Sequence, residues 1–175
     1  VRSVIAAAAG ASVVPPAALA WQSAPRRQVM LGNRRIRVID AHAHCIIPVT
    51  DIVKGTPLQQ LGGGGGNNVL GPQRLQLMDQ QAVDVQALTI NGFWWYAADV
   101  DLARAIVKAQ NEGLAQWVAQ QRDRFVALAS VALQHPELPA EQLRDGVRRL
   151  GLRGASIGGH VNGGDVALPK YVPFW

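Results

Sequence analysis

Residues 40–44 read Asp-Ala-His-Ala-His. In an extended chain, side chains two apart point to one face, so His42 and His44 would stand side by side. Neutral imidazole is a good ligand for Zn²⁺ and similar divalent ions. Asp40 falls in the same alternation, as a further ligand or as the carboxylate that orients a ligating histidine. The competing reading is two ordinary surface histidines near a turn. Position favours the first. The pair ends an alternating stretch, Arg35–Ala41 (RIRVIDA), and parallel α/β sheets place their sites outside the carboxyl ends of strands.

Other residues have weaker claims. Asn91-Gly92-Phe93-Trp94-Trp95-Tyr96 follows an apolar run. Asn91, Trp94, Trp95 and Tyr96 could wall a pocket for a flat, ring-like substrate, or cover a rim or an oligomer contact. His160 either faces the site or makes a local backbone hydrogen bond. Cys45, the single cysteine, is a reactive thiol or a small buried apolar residue. Gly62–Gly66 lacks the Lys-Ser or Lys-Thr of a phosphate loop and reads as a flexible connection.

The elements that must position these residues alternate. After RIRVIDA comes a helix opened by Pro72, with Leu75, Leu77, Met78 and Val83 on its apolar face. Val85–Ile90 is a buried strand. Asp99 caps a helix over 100–120, packing through Leu102, Ala105, Ile106, Ala109, Gly113 and Trp117. Phe125–Leu133 is a third strand, Pro139–Leu150 a third helix with Leu143, Val147 and Leu150 inward, and Gly151 its stop. Gly154–Gly158 is a fourth strand, and Pro169–Trp175 enters a fourth helix. Apolar strands alternating with amphipathic helices imply a parallel sheet covered on both faces. A doubly wound sheet and half of an eight-stranded barrel both fit. A full barrel needs about 250 residues.

Charge is unevenly placed. The chain of 175 residues carries a net +5, but residues 1–39 hold six arginines and no acid, and the remainder is close to neutral. The basic character is therefore a property of the N-terminus, not of a nucleic-acid-binding face. Val4–Ala20 is apolar and Ala-rich, follows Arg2 and ends in Ala18-Leu19-Ala20, the layout of a cleavable export signal over about residues 1–24. The start also resembles the twin-arginine class. The expected location is periplasmic, with a cytoplasmic protein bearing an Ala-rich extension as the alternative. No stretch reaches the length of a membrane span.

Four segments, in order, carry a family resemblance: VIDAHAHCIIP (38–48), RLQLMDQQAVDVQALTIN (74–91), DRFVALASVALQHP (123–136) and LGLRGASIGGHVNG (150–163). The chain resembles the amidohydrolase superfamily, and within it the aminocarboxymuconate-semialdehyde decarboxylase-like branch, family 2. The resemblance implies a (β/α)8 metal-dependent barrel, of which residues 35–175 form about the first four β/α units. It implies a divalent ion, most often zinc, held in part by His42 and His44. It places the remaining ligands, a histidine after the fifth strand and an aspartate after the eighth, later than residue 175; His135 and His160 come too early to match them. The branch also uses an arginine in its first long loop to hold a substrate carboxylate. Here that loop offers only Lys54 as a cation.

The function this implies is a metal-dependent carboxy-lyase or hydrolase acting on a small organic, aromatic carboxylate. The 175-residue chain by itself is expected to be inactive. An exported, non-catalytic barrel scaffold is the second reading, and a nucleic-acid binder, resting on the isoelectric point alone, the third. A homodimer of halves could close the barrel, but no residue in the sequence points to it.

Overall fold

The structure is a computed structural model and describes residues 25–63, 68–90 and 95–175. The expected export signal, the glycines 64–66, and Asn91 and Trp94 lie outside the described residues.

The Arg-rich lead-in folds. Strands β1 (Val29–Leu31) and β2 (Arg34–Ile36) form an antiparallel hairpin closed by Gly32-Asn33, with Gly32 at φ +60°. A positive φ at the first turn position suits glycine and matches the right-handed twist of two short strands. The expected strand over 35–41 therefore divides in two. Val38 is where the chain changes partner. Its N–H donates to Asp84 Oδ2 at 2.7 Å, and its carbonyl accepts from the backbone N–H groups of Asp84 and Val85.

Strand β3 (Ile39–Cys45) then enters a parallel sheet of order β3-β4-β5, with β4 at Val85–Ile90 and β5 at Phe125–Ala127. The histidines thus lie in the C-terminal half of the strand, as expected. The expected fourth strand follows β5 as a parallel bridge between Ala129 and Ala155. Beside it, Arg153 N–H donates to Ala127 O at 2.8 Å, Ala129 N–H to Gly154 O at 2.7 Å, and Ser156 N–H to Ala129 O at 2.9 Å. The third strand is shorter than its apolar run because past Ala127 the backbone bonds are divided among side chains and turns. Asn111 reaches across to hold Ser130 in both directions, its Oδ1 accepting from Ser130 N–H and its Nδ2 donating to Ser130 O.

Among the described residues, four α-helices lie between or after these strands. They are α1 (Thr50–Val53), α2 (Pro72–Gln80), α3 (Val100–Gln120) and α4 (Pro139–Arg148). Asp99 caps α3 as expected, accepting from Leu102 N–H at 2.9 Å. The buried line of α3 is Ala103, Ile106, Val107, Gln110, Asn111 and Leu114, rotated from the expected face so that Ala105 is exposed. The rotation follows from the buried Asn111–Ser130 pair, which an apolar-only count passes over. Val147 is likewise exposed. Gly146 turns inward instead, packed so closely that a Cβ there would stand only 3.1 Å from that of Ala129. On α2, Leu77 is exposed while Arg74 and Met78 are buried. Residues 169–171 form a single 3-10 turn where a fourth helix was expected.

The main core lies between the sheet and the helices. Ala43, Cys45, Leu88, Ile90, Ala127 and Ala129 face Met78, Leu114 and Leu152. This burial drives the sheet–helix layering. Among the described residues, no helix is long and apolar enough to cross a membrane.

Candidate metal centre

Two histidines converge at the end of β3. Their Nε2 atoms are 2.7 Å apart and their ring centroids 4.6 Å, with the planes at 56°. The strand directs them this way because its other face, Ala43 and Cys45, is held in the core. Two nitrogens on one tetrahedral zinc at about 2.0–2.1 Å would be separated by roughly 3.3 Å. The observed spacing is that of a hydrogen bond between rings, and a side-chain rotation of a few tenths of an ångström opens it to a chelating bite. Donor type and convergence therefore fit a divalent ion. Among the described residues, no group of three His, Cys, Asp or Glu side chains could enclose one.

Asp40 departs from the expected alternation. A β-bulge sets Asp40 to Ala43 of β3 against Gln86 to Leu88 of β4. The extra residue moves Asp40 onto the face of Ala43 and Gln86, away from that of His44. There its Oδ1 accepts from His42 N–H at 3.2 Å and its Oδ2 from Gln86 Nε2 at 3.0 Å. Asp40 thus grips the backbone of the first histidine and not its ring.

Behind Gln86 stands Arg74, a residue that in the sequence is one more polar position of α2. It is 8% exposed. Its Nη1 donates to Gln86 Oε1 at 3.0 Å and its Nη2 to the carbonyl of His44 at 2.6 Å. Its neighbours Pro72, Gln73, Gln76 and Leu77 are exposed, so nothing in the sequence around it marks this arginine as buried. A cleft of about 500 Å³ opens here, lined by His42, His44, Asp40, Arg74, Gln86 and α2 side chains including Leu77. On the neighbouring strand, Thr89 stands opposite His44 in register, and its buried hydroxyl has no hydrogen-bond partner among the described residues.

Asn91 and Trp94 lie outside the described residues, and the other candidates are not among those that line this cleft. Trp95 is buried against Val49, Val53, Leu58 and Ala98 in a second cluster. Tyr96 packs beside Val131, Leu133 and Tyr171, and its hydroxyl donates to the carbonyl of His160 at 2.9 Å. His160 lies in a small hairpin of β6 (His160–Val161) and β7 (Gly164–Asp165), where its Nδ1 accepts from Gly163 N–H at 3.2 Å. Of its two readings, the local backbone bond is the one observed. Cys45 is buried at 1% exposure, and burial pushes its thiol up to about 12 against the opposing charge of Arg74. It is a packing residue, not a nucleophile.

Comparison with known proteins shows the family and the fold. The amidohydrolase family model matches residues 39–175, beginning at the first residue of the histidine strand. Gamma-resorcylate decarboxylase of Rhizobium sp. is 36% identical over 109 residues, which are 58% of this chain and 33% of that protein. The 2-amino-3-carboxymuconate-6-semialdehyde decarboxylase of Dictyostelium discoideum is 33% identical over 107 residues, 58% of this chain and 29% of that protein. The crystal structure of 2,6-dihydroxybenzoate decarboxylase from Rhizobium superposes with a TM-score of 0.61 at 27% identity, over 79% of this chain and 45% of that one. A dihydroxybenzoic acid decarboxylase from Polaromonas, with bound manganese and 2-nitroresorcinol, gives 0.61 at 26% identity, over 79% and 45%. The chain thus spans about a third of the curated relatives it matches and under half of these solved structures, which places its three-stranded sheet as part of a larger α/β barrel. With the match running unbroken from the histidine strand to the last residue, the chain belongs to the amidohydrolase family.

Proposed function

We propose that the whole protein is a metal-dependent decarboxylase of small aromatic carboxylates, with His42 and His44 as two ligands of its ion. The observation that carries this reading is the convergence of the two Nε2 atoms at the end of the family's first strand, in a chain whose relatives are named as decarboxylases. Manganese in the Polaromonas structure makes it the ion to try beside zinc. A bound divalent ion would supply Lewis-acid polarisation of substrate oxygens.

This chain's residues would do the positioning. The two imidazoles hold the ion at the strand end. The Thr89 hydroxyl, opposite His44, is available to a polar group bound beside it. Loss of carbon dioxide breaks the bond between the ring carbon and the carboxylate and leaves its electron pair on that carbon, which a proton then fills. Trp95 and Tyr96 pack in separate clusters and are not among the residues that line the cleft.

The test is metal content and turnover of the full-length protein with His42→Ala and His44→Ala. Each variant should lose most bound manganese or zinc by elemental analysis, and with it carbon dioxide release from a dihydroxybenzoate. Undiminished metal in both variants would overturn the reading.

A further inference from the structure

Arg74, Gln86 and Asp40 form a continuous chain of hydrogen bonds that begins and ends on the backbone of the histidine strand. One end is the carbonyl of His44, which accepts from Arg74 Nη2 at 2.6 Å. The other is the N–H of His42, which donates to Asp40 Oδ1 at 3.2 Å. Between them, Arg74 Nη1 donates to Gln86 Oε1 and Gln86 Nε2 donates to Asp40 Oδ2, both at 3.0 Å. Arg74 and Gln86 are 8% and 7% exposed. Burying a guanidinium is costly unless its donors are matched, and the carboxylate of this chain stands one amide away. Both terminal nitrogens of Arg74 and both oxygens of Asp40 are used within the chain, while the buried Nε of Arg74 has no partner among the described residues.

The same stretch of β3 carries the bulge between Asp40 and Ala43, where the ladder to β4 slips by one residue. A bulge loosens the pairing that would otherwise orient His42. The chain of bonds re-ties both sides of the slip, to α2 through Arg74 and to β4 through Gln86.

We infer that Arg74, Gln86 and Asp40 are positioning residues that hold the backbone of His42 and His44 so that their rings converge on a divalent ion. The inference rests on the proposed metal centre and adds the device that sets its geometry. Direction matters in this chain. Gln86 must accept from Arg74 and donate to Asp40, which only the amide can do with an aspartate at 40. Asp40→Asn alone sets donor against donor. Gln86→Glu alone sets carboxylate against carboxylate. Together the two substitutions restore every bond, with the polarity between positions 40 and 86 reversed. The new carboxylate at position 86 would accept from Arg74 and from the new amide at position 40. The oxygen of that amide would still accept from His42 N–H.

The experiment titrates Mn²⁺ into the metal-free full-length protein, following the free-ion signal by electron paramagnetic resonance, beside thermal melting of the same metal-free samples. Each single variant should weaken Mn²⁺ binding about 10–100-fold, the range for groups that orient metal ligands. The double variant should return to within about threefold of wild type, as a coupled pair does. Arg74→Lys, which cannot reach both acceptors, should weaken binding without recovery. A purely structural role would lower the melting temperature and leave the affinity of the folded protein unchanged; that result, or a double variant no tighter than the singles, overturns the inference. Absence of Mn²⁺ binding by the wild type would instead overturn the proposed metal centre itself.

Discussion

At the scale of single residues, spacing and position carried the main assignment. The two histidines alternate on a strand whose intervening positions are small and apolar, so burial of Ala43 and Cys45 sends both imidazoles the other way. Asp40 obeyed the same alternation on paper and not in the fold, because one extra residue in the ladder reverses every side chain before it. Neither the bulge nor Arg74 has a sequence signature. Cys45 resolves to the apolar reading. At 1% exposure it should react with a thiol reagent at pH 8 only as fast as the protein unfolds, and readily in denaturant. Labelling of the native protein at the rate of a free thiol would contradict that burial.

At the scale of elements, caps and breakers were legible while faces were not. Pro72, Asp99 and Pro139 open α2, α3 and α4 where their chemistry requires. The buried face of α3 is decided elsewhere, by the Asn111–Ser130 bonds and by its fit to the segment leaving β3. Gly113 shows that fit. A Cβ there would stand 2.7 Å from Ile47 Cγ2, two residues beyond the last residue of the histidine strand. Glycine to alanine in a helix ordinarily stabilises by roughly 0.5–1 kcal/mol. Gly113→Ala should instead destabilise by about 1–3 kcal/mol, the cost of overpacking, as read by urea denaturation. A gain in stability would mean that Ile47 yields freely.

At the scale of the whole molecule, three of the N-terminal arginines, Arg26, Arg27 and Arg35, are bound internally. Arg26 and Arg35 both pair with Asp84, and Arg26 and Arg124 reach Asp79. These contacts fasten the β1–β2 hairpin to the sheet, so this part of the basic lead-in is an anchor. The Asp84 carboxyl is held below the usual carboxylate range, first by the Val38 N–H and then by Arg26 and Arg35, against the opposing effect of burial. A lowered folded value stabilises fully above the unfolded value, about pH 4, and the contribution is lost as pH falls through the folded value. Wild type should therefore exceed Asp84→Asn in stability at pH 7, with the difference shrinking below about pH 4. Denaturation midpoints across about pH 2–7 measure it, and a difference independent of pH would show that the carboxylate charge plays no part.

What the sequence determined by itself is local or periodic. It includes the alternation of strand and helix, the caps, the histidine pair and the family to which the ordered segments belong. These depend on neighbours a few residues apart, and side-chain chemistry encodes them directly. What only the tertiary structure decided depends on pairings across 12 to 46 residues of chain, among them Arg74 with Gln86, Arg74 with His44 and Gln86 with Asp40. The slip of β3 against β4 belongs with them, as does the packing of Trp95 and Tyr96 away from the cleft. A hydrogen bond between distant residues leaves no period in the sequence. Its partners are polar residues that look solvent-facing until a neighbouring strand or helix closes over them.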